Sequence, residues 1–354
     1  MVKARTALDE LGTDGSFKRK ESAWRNWVST DEGAEYPPEA DRYHLFVAAA
    51  CPWAHRTLMA RHLKGLEDII SVTVVHPTWR KTKPDDEEDK HCGWVFAADA
   101  DSKETYKNTE GLGGPFTAAL EGCEPNPLFT CFSIRDVYEK AKDTEGKYTV
   151  PILWDKKKET IVSNESAEII QMFNSAFNGK GLAKNPDLDL APKELLDAMK
   201  EADDWIYPNI NNGVYRCGFA QSQGAYDKAI EDLTNSFDRL EEILKKQRFI
   251  AGDQMTLSDI RLFSTLLRFD EVYVVYFKTN TRTVTHTPTL LNYCREMYQK
   301  VGPTVNMAQI KQHYYTSHPN LNKYSIIPKG ADFVKLLEEP HDRESLTSNK
   351  KQKV

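Results

Sequence analysis

Apolar positions along this chain follow two rhythms. From residue 43 to about 174, short apolar runs alternate with helix-spaced segments; beyond about 193 the spacing is that of helices alone. In the first stretch, Tyr43 to Ala48 predicts a strand, Pro52 to Gly65 a helix, and Ile69 to His76, rich in β-branched residues, a second strand. Phe132 to Lys142 resumes helical spacing. Tyr148 to Trp154 predicts a strand that Pro151 opens, because proline is excluded from the interior of a central strand; a cis Val150–Pro151 bond would make the turn. Thr160 to Val162 predicts a strand hairpinned to it across Asp155-Lys156-Lys157-Lys158. A helix then runs to about Phe173, with Ser163 or Asn164 as a natural N-cap.

The order β-α-β-α-β-β-α is that of a thioredoxin-like domain. After it, Leu195 to Ile206, Ala225 to Lys246, Leu257 to Asp270 and Leu290 to Lys300 carry apolar residues at helix spacing. Thr256-Leu257-Ser258-Asp259 reads as a capping box, a folding signal. The predicted fold class is therefore an α/β thioredoxin-like N-terminal domain followed by an all-α C-terminal domain. The expected divisions are an N-terminal arm at 1–40, the thioredoxin-like domain at 41–174, a linker at 175–192, the helical domain at 193–330 and a disordered tail at 331–354. Residues 77–130 interrupt the first domain with an acidic run at 84–89 and a loop at 111–115. A segment of that length is expected to form a wall or lid of a site.

The chain's 354 residues, 40% of them apolar, suffice for two cores. A net charge of −6, spread along the chain, leaves no nucleic-acid footprint. No run of eighteen apolar residues occurs, so no membrane span is expected, and the N-terminus lacks the apolar core of a secretory signal. Six cysteines without paired spacing suit a reducing compartment, and a cytoplasmic protein is expected. His91 and Cys92 alone are too few for a structural metal site, and no metal is expected.

The candidate chemistry centres on Cys51-Pro52-Trp53-Ala54-His55-Arg56. A cysteine at a strand-to-helix junction, with proline next, sits where unpaired helix N–H groups converge. That setting favours the nucleophilic thiolate. A resolving cysteine would stand at position 54, which is Ala54, so a mixed disulfide on Cys51 needs an outside thiol. Glutathione is the obvious one in a reducing cell.

Several strings narrow the class. Cys51-Pro52-Trp53-Ala54-His55-Arg56-Thr57, Thr149-Val150-Pro151-Ile152-Leu153-Trp154-Asp155 and Ser163-Asn164-Glu165-Ser166-Ala167-Glu168-Ile169-Ile170 resemble the glutathionyl-hydroquinone reductases, the Xi class of the glutathione transferases. So do Asn211-Asn212-Gly213-Val214-Tyr215, Asp259-Ile260-Arg261-Leu262, Arg268-Phe269-Asp270 and His313-Tyr314-Tyr315-Thr316-Ser317-His318. The later strings separate this class from the omega class, which shares the N-terminal cysteine. The resemblance implies attack by Cys51 on the sulfur of a glutathionyl-hydroquinone, release of the hydroquinone, and discharge of the mixed disulfide by a second glutathione. It implies substrate-side roles for Tyr215 and Tyr314, with Asn211-Asn212-Gly213 read as a turn that aims Tyr215. It places Ser166 and Glu165 on the γ-glutamyl end of glutathione, the backbone of Val150 on its cysteinyl part, Trp94 over it, and Arg135 as a source of charge. It also implies a homodimer formed through the helical half, for which Val272 to Phe277 is an apolar run. Two alternatives stay open: an omega-like thiol transferase acting on dehydroascorbate or protein mixed disulfides, and a glutathione-binding scaffold without turnover.

Overall fold

The computed structural model describes residues 12, 14–17 and 21–351, the last four without their side chains. Most of the predicted arm before residue 21 and the end of the predicted tail, 352–354, lie outside the described residues. The chain divides into two units. One takes the described residues of Lys20–Asp187 together with Asn306–Pro328; the other takes those of Glu10–Arg19, Leu188–Val305 and Lys329–Val354.

In the first unit, β1 (Tyr43–Val47) is buried at every position, which is why its sequence does not alternate. It pairs in parallel with β2 (Ile70–Val74), and α1 (Pro52–Leu63) makes the crossover. On its other side it pairs antiparallel with β3 (Ile152–Asp155), which hairpins to β4 (Thr160–Ser163). The strand order is β2-β1-β3-β4. Two more helices belong to this frame: α2 (Ile134–Lys140), opened by a capping box of Ser133 and Asp136, and α3 (Ser166–Ser175), which packs on α1. The arm runs along the outer edge of β4: Asn26 donates to the Val162 carbonyl and Asn164 donates to that of Trp24, both at 3.0 Å. An otherwise open edge is thereby covered.

Residues 77–130 are more ordered than a bare loop. Arg80–Lys81 pairs with Cys92–Gly93, Thr105–Tyr106 pairs with Phe116–Thr117, and Val95, Tyr106 and Ala118 form a small buried core. The segment is fastened to Asn306–Pro328. Gln309 Nε2 donates to the Glu121 carbonyl at 3.0 Å, Asn108 Nδ2 donates to the Lys323 carbonyl at 2.9 Å, and the Thr78 and Thr316 hydroxyls are 2.9 Å apart. These long-range bonds put residues 306–328 in the first unit, not in the helical domain expected over 193–330.

The second unit is helical: α4 (Leu196–Ile206), α5 (Gly213–Gly218), α6 (Gln223–Leu244), α7 (Leu257–Arg268) and α8 (Pro288–Val301). Asn212 is a single turn residue between a π-helical stretch, Tyr207–Asn211, and α5, so the expected Asn-Asn-Gly turn is one residue set between two helical segments. A Cβ on Gly218 would lie 2.4 Å from the Phe277 ring, so only glycine allows that approach. Val272, Tyr273, Tyr276 and Phe277 are buried and only Val275 is well exposed, so the expected interface run is mostly core. The expected disorder after 331 is likewise overturned where the chain is described. Asp332 precedes a helix, Phe333–Leu337, whose Phe333 and Leu337 are buried and whose first N–H donates to Glu271 Oε1 at 3.0 Å. Among the described residues no helix is long and apolar enough to cross a membrane.

Candidate active site

Cys51 is the N-cap of α1. β1 runs through Ala48–Ala50 into an extended residue 51 (φ −74°, ψ 119°), and Pro52 takes the first helical position, where its missing N–H costs nothing. The Cys51 N–H donates to the Ala48 carbonyl at 3.1 Å and its carbonyl accepts from His55 N at 2.8 Å. The Cys51 side chain makes no capping bond to the helix. Sγ lies 3.6 Å from the Val150 carbonyl oxygen, and the Val150–Pro151 peptide is cis. Cys51 is partly exposed, unlike Cys123, Cys217 and Cys294. Burial pushes the Cys123 and Cys217 thiols up to about 12 and holds Cys294 well above the usual thiol range. Cys131 is pushed up to about 11, again by burial. These four are poor sources of thiolate.

The start of α3 lies in the same unit. Its N-cap is Glu165, not Ser163 or Asn164. Glu165 Oε1 accepts from Ala167 N at 2.9 Å and Oε2 accepts from Ser22 Oγ at 3.0 Å. The two residues expected to cap are engaged elsewhere. Ser163 Oγ accepts from Glu165 N, and Asn164 accepts from Trp24 N and donates to the Tyr138 hydroxyl. Ser166 is the first helical residue. A helix start of ten residues presents N–H groups and positive partial charge to an anion, and Glu165 beside it offers a carboxylate to a cation.

Trp94 is 7% exposed, and its surroundings were not legible in its own segment. One face stacks on His313 at 4.4 Å and 27°, and Trp79 meets it edge-on at 5.6 Å. That face is therefore taken, and only the remainder of Trp94 is left for a ligand. His313 is fixed in turn. Its Nδ1 is 2.8 Å from the Pro77 carbonyl, which can only accept, so Nδ1 carries the proton. Tyr314 is buried beside it, ring centroids 5.2 Å apart, and His318 completes the cluster. Burial lowers His318 to about 4, so it is neutral at ordinary pH. Helix α9 (Met307–Thr316) thus brings Tyr314 into the unit that holds Cys51 and Trp94. The string His313 to His318 held two histidines five residues apart as a signal; their partners, Trp79 and Pro77, are more than 230 residues away in sequence.

Arg135 does not match its expected role. It is 5% exposed, its Nη1 pairs with Asp89 at 2.5 Å, and its Nε pairs with Glu139 at 2.8 Å. Two carboxylates from this fold balance its charge, so it ties α2 to the 77–130 segment. Tyr215 belongs to the second unit, in an aromatic box. Its hydroxyl is 3.5 Å from that of Tyr273, and its ring contacts Phe17, Phe219 and Phe277. Among the described residues Glu296, His341 and Glu344 have metal-ligand spacing, but Glu296 pairs with Arg248 at 2.6 Å and has Lys300 and Arg343 within 4 Å. Three cations around a buried carboxylate oppose a further one.

A thioredoxin-type sheet with a helix-capping cysteine and an acid-serine helix start defines a glutathione transferase N-terminal domain. Residues 50–176 match the glutathione S-transferase N-terminal domain family and residues 223–295 match the C-terminal domain family. The chain is 41% identical to the glutathionyl-hydroquinone reductase YqjG of Escherichia coli over 96% of its own length and 95% of that protein's. It is 38% identical to glutathione S-transferase omega-like 2 of Schizosaccharomyces pombe, over 91% and 95%. Among solved structures it is similar to the Xi glutathione S-transferase of Phanerochaete chrysosporium (TM-score 0.79, 42% identity, 94% and 97% covered). It is also similar to glutathione-bound YqjG (TM-score 0.78, 40% identity, 91% and 96% covered). The chain belongs to the glutathione S-transferase family and, within it, to the Xi class of glutathionyl-hydroquinone reductases.

Proposed function

We infer that this chain is an enzyme that reduces glutathionyl-hydroquinones to hydroquinones at the expense of glutathione. The observation that carries the reading is its likeness, along nearly its whole length, to a glutathionyl-hydroquinone reductase, with Cys51 at a helix start and Ala54 where a resolving cysteine would stand. The Cys51 thiolate attacks the glutathionyl sulfur. The sulfur–carbon bond to the ring breaks, its electron pair stays on the ring carbon, and a proton completes the hydroquinone. A second glutathione thiolate then attacks the glutathionyl sulfur of the mixed disulfide, leaving as glutathione disulfide and restoring Cys51. The ring carbon is reduced, and two glutathione sulfurs are oxidised to the disulfide, one from the substrate's thioether and one from the added thiol.

Val150 supports this geometry, since its carbonyl lies 3.6 Å from Cys51 Sγ; strand-like pairing there would hold the cysteinyl part of glutathione beside the nucleophile. Ser166 and Glu165 would take the γ-glutamyl carboxylate and ammonium. Tyr314 and Tyr215 would donate to the hydroquinone oxygens, a role that phenolic O–H groups suit. Reduced cytoplasm is the compartment proposed, and a homodimer the assembly, without Val272 to Phe277 as its face. Light scattering at micromolar concentration checks the dimer.

Product analysis with glutathionyl-menadione and with dehydroascorbate, glutathione in excess, tests the reading. Menadiol and glutathione disulfide in equal amounts are expected. Turnover of dehydroascorbate alone would favour the omega-like alternative, and glutathione binding without turnover of either would favour the scaffold.

A further inference from the structure

Arg56 lies in the Cys51 string, yet nothing above gives it a part. It projects from α1, the helix that Cys51 caps, and is 4% exposed. Its guanidinium crosses to the first turn of α3. Nε donates to Ser166 Oγ at 3.0 Å, Nη2 donates to the same oxygen at 2.6 Å, and Nη2 lies 3.6 Å from Glu165 Oε1. Arginine has no acceptor, and a serine hydroxyl has two lone pairs and one hydrogen. Both bonds therefore use lone pairs of Ser166, and its hydrogen must point away from Arg56. The hydroxyl is held as a donor. The same guanidinium flanks Glu165, whose two oxygens also accept from Ala167 N and Ser22 Oγ, and so holds the carboxylate in place beside Ser166.

We propose that Arg56 is a positioning residue that fixes Ser166 as the donor and Glu165 as the acceptor for the γ-glutamyl end of glutathione, and ties both to the helix that carries Cys51. The γ-glutamyl group needs both polarities within one α-amino acid: a donor for its carboxylate and an acceptor for its ammonium. Arg56 supplies neither directly. It sets which way each neighbour faces, and its planar fork does so as a lysine's rotatable ammonium would not. This rests on the reading that the start of α3 holds glutathione.

The test is calorimetric binding of S-methylglutathione, which cannot form a disulfide, to the full chain as wild type, Arg56→Lys, Ser166→Ala and the double variant. Thermal melting reports folding, and Arg56→Gln replaces Arg56→Lys if the latter does not fold. Each single change is expected to weaken binding about tenfold, and the double to bind no more weakly than Arg56→Lys alone, because one residue acts through the other. With glutathionyl-menadione, the loss should appear in KM for glutathione, with kcat within about twofold. Unchanged affinity in Arg56→Lys, or single effects that multiply to about a hundredfold in the double, overturns the proposal while wild-type binding stands. Absence of binding by the wild type would instead overturn the glutathione reading beneath it.

Discussion

Helices α3 and α7 both begin on a carboxylate that takes hydrogen bonds from its own surroundings, yet the two starts are left in opposite states. At α7, Asp259 is fully buried. It accepts from Thr256 N at 2.8 Å, Thr256 Oγ1 at 2.9 Å, Ile250 N at 2.9 Å and the Tyr293 hydroxyl at 3.0 Å. Burial nevertheless outweighs these bonds and pushes its carboxyl up to about 6. At α3, the Glu165 side chain keeps 24% of its surface exposed, and the buried Arg56 donates to the Ser166 hydroxyl, which on the proposal above is thereby left as a donor. A start whose donors are all met within the fold is a folding device; a start with a carboxylate and a hydroxyl held for something outside is a binding device. Cys51 at α1 is a third start, proposed to be of the second kind. Residue type does not separate the two, since serine, threonine, aspartate and glutamate serve both.

The largest break in that comparison is at α1. Cys51→Ser should lower turnover of glutathionyl-menadione by at least about a thousandfold, because the nucleophile is gone. S-methylglutathione should bind as before, since the α3 start is untouched. Steady-state rates with calorimetry check both halves. Asp259→Ala should do the reverse. It strands four buried donors and is expected to cost about 3 kcal/mol of stability, seen in chemical denaturation, with glutathione affinity per folded molecule unchanged.

Next in size are the tyrosines. Tyr215→Phe and Tyr314→Phe should each lose about 2 kcal/mol of transition-state stabilisation, in kcat more than in glutathione affinity. If both act on one ring, as proposed, the double should lose less than the sum. Wild-type turnover in both single variants would return them to packing roles. The smallest effect is with pH. Burial lowers His44 and His318, both in the first unit, from 6.5 to about 4. The unfolded chain therefore binds more protons between pH 6.5 and 4, and their contribution to stability is lost as pH falls through that window. Asp259, raised from 3.8 to about 6, works in the opposite sense across that range. Melting temperature should fall from pH 7 to 5, and less so in His44→Gln, where an amide can still meet the Ser71 and Thr73 hydroxyls. An equal slope in the variant would contradict this.

Local rules were legible in the sequence wherever a short stretch carries its own cause. Proline after a capping cysteine marked the start of α1 to the residue, the Thr256–Asp259 box marked α7, an apolar run marked β1 and a β-branched run marked β2. Position 151 told where β3 could begin. What stayed hidden depends on partners far along the chain. Glu165 displaced Ser163 and Asn164 as the cap because the arm claims Asn164. Arg135 looked like a charged helix residue until Asp89, from the 77–130 segment, closed on it. Val272 to Phe277 looked the same as core or as interface, because apolarity does not say which side is covered. The run 306–328 follows the helical segments in sequence; only hydrogen bonds with Thr78, Asn108 and Glu121 show which unit it joins. Arg56 stood in plain view in the Cys51 string, but its meaning needed Ser166, 110 residues away.

The central claim is that Cys51 carries glutathione as a mixed disulfide that only an outside thiol can discharge. Intact mass and peptide mapping of the protein after one equivalent of glutathionyl-menadione, quenched before glutathione is added, tests it most directly. The account predicts a single glutathione adduct on the peptide bearing Cys51, release of menadiol, and loss of the adduct with formation of glutathione disulfide when glutathione follows. Menadiol formed with no adduct on Cys51, or an adduct on Cys92 or Cys131 instead, would contradict it.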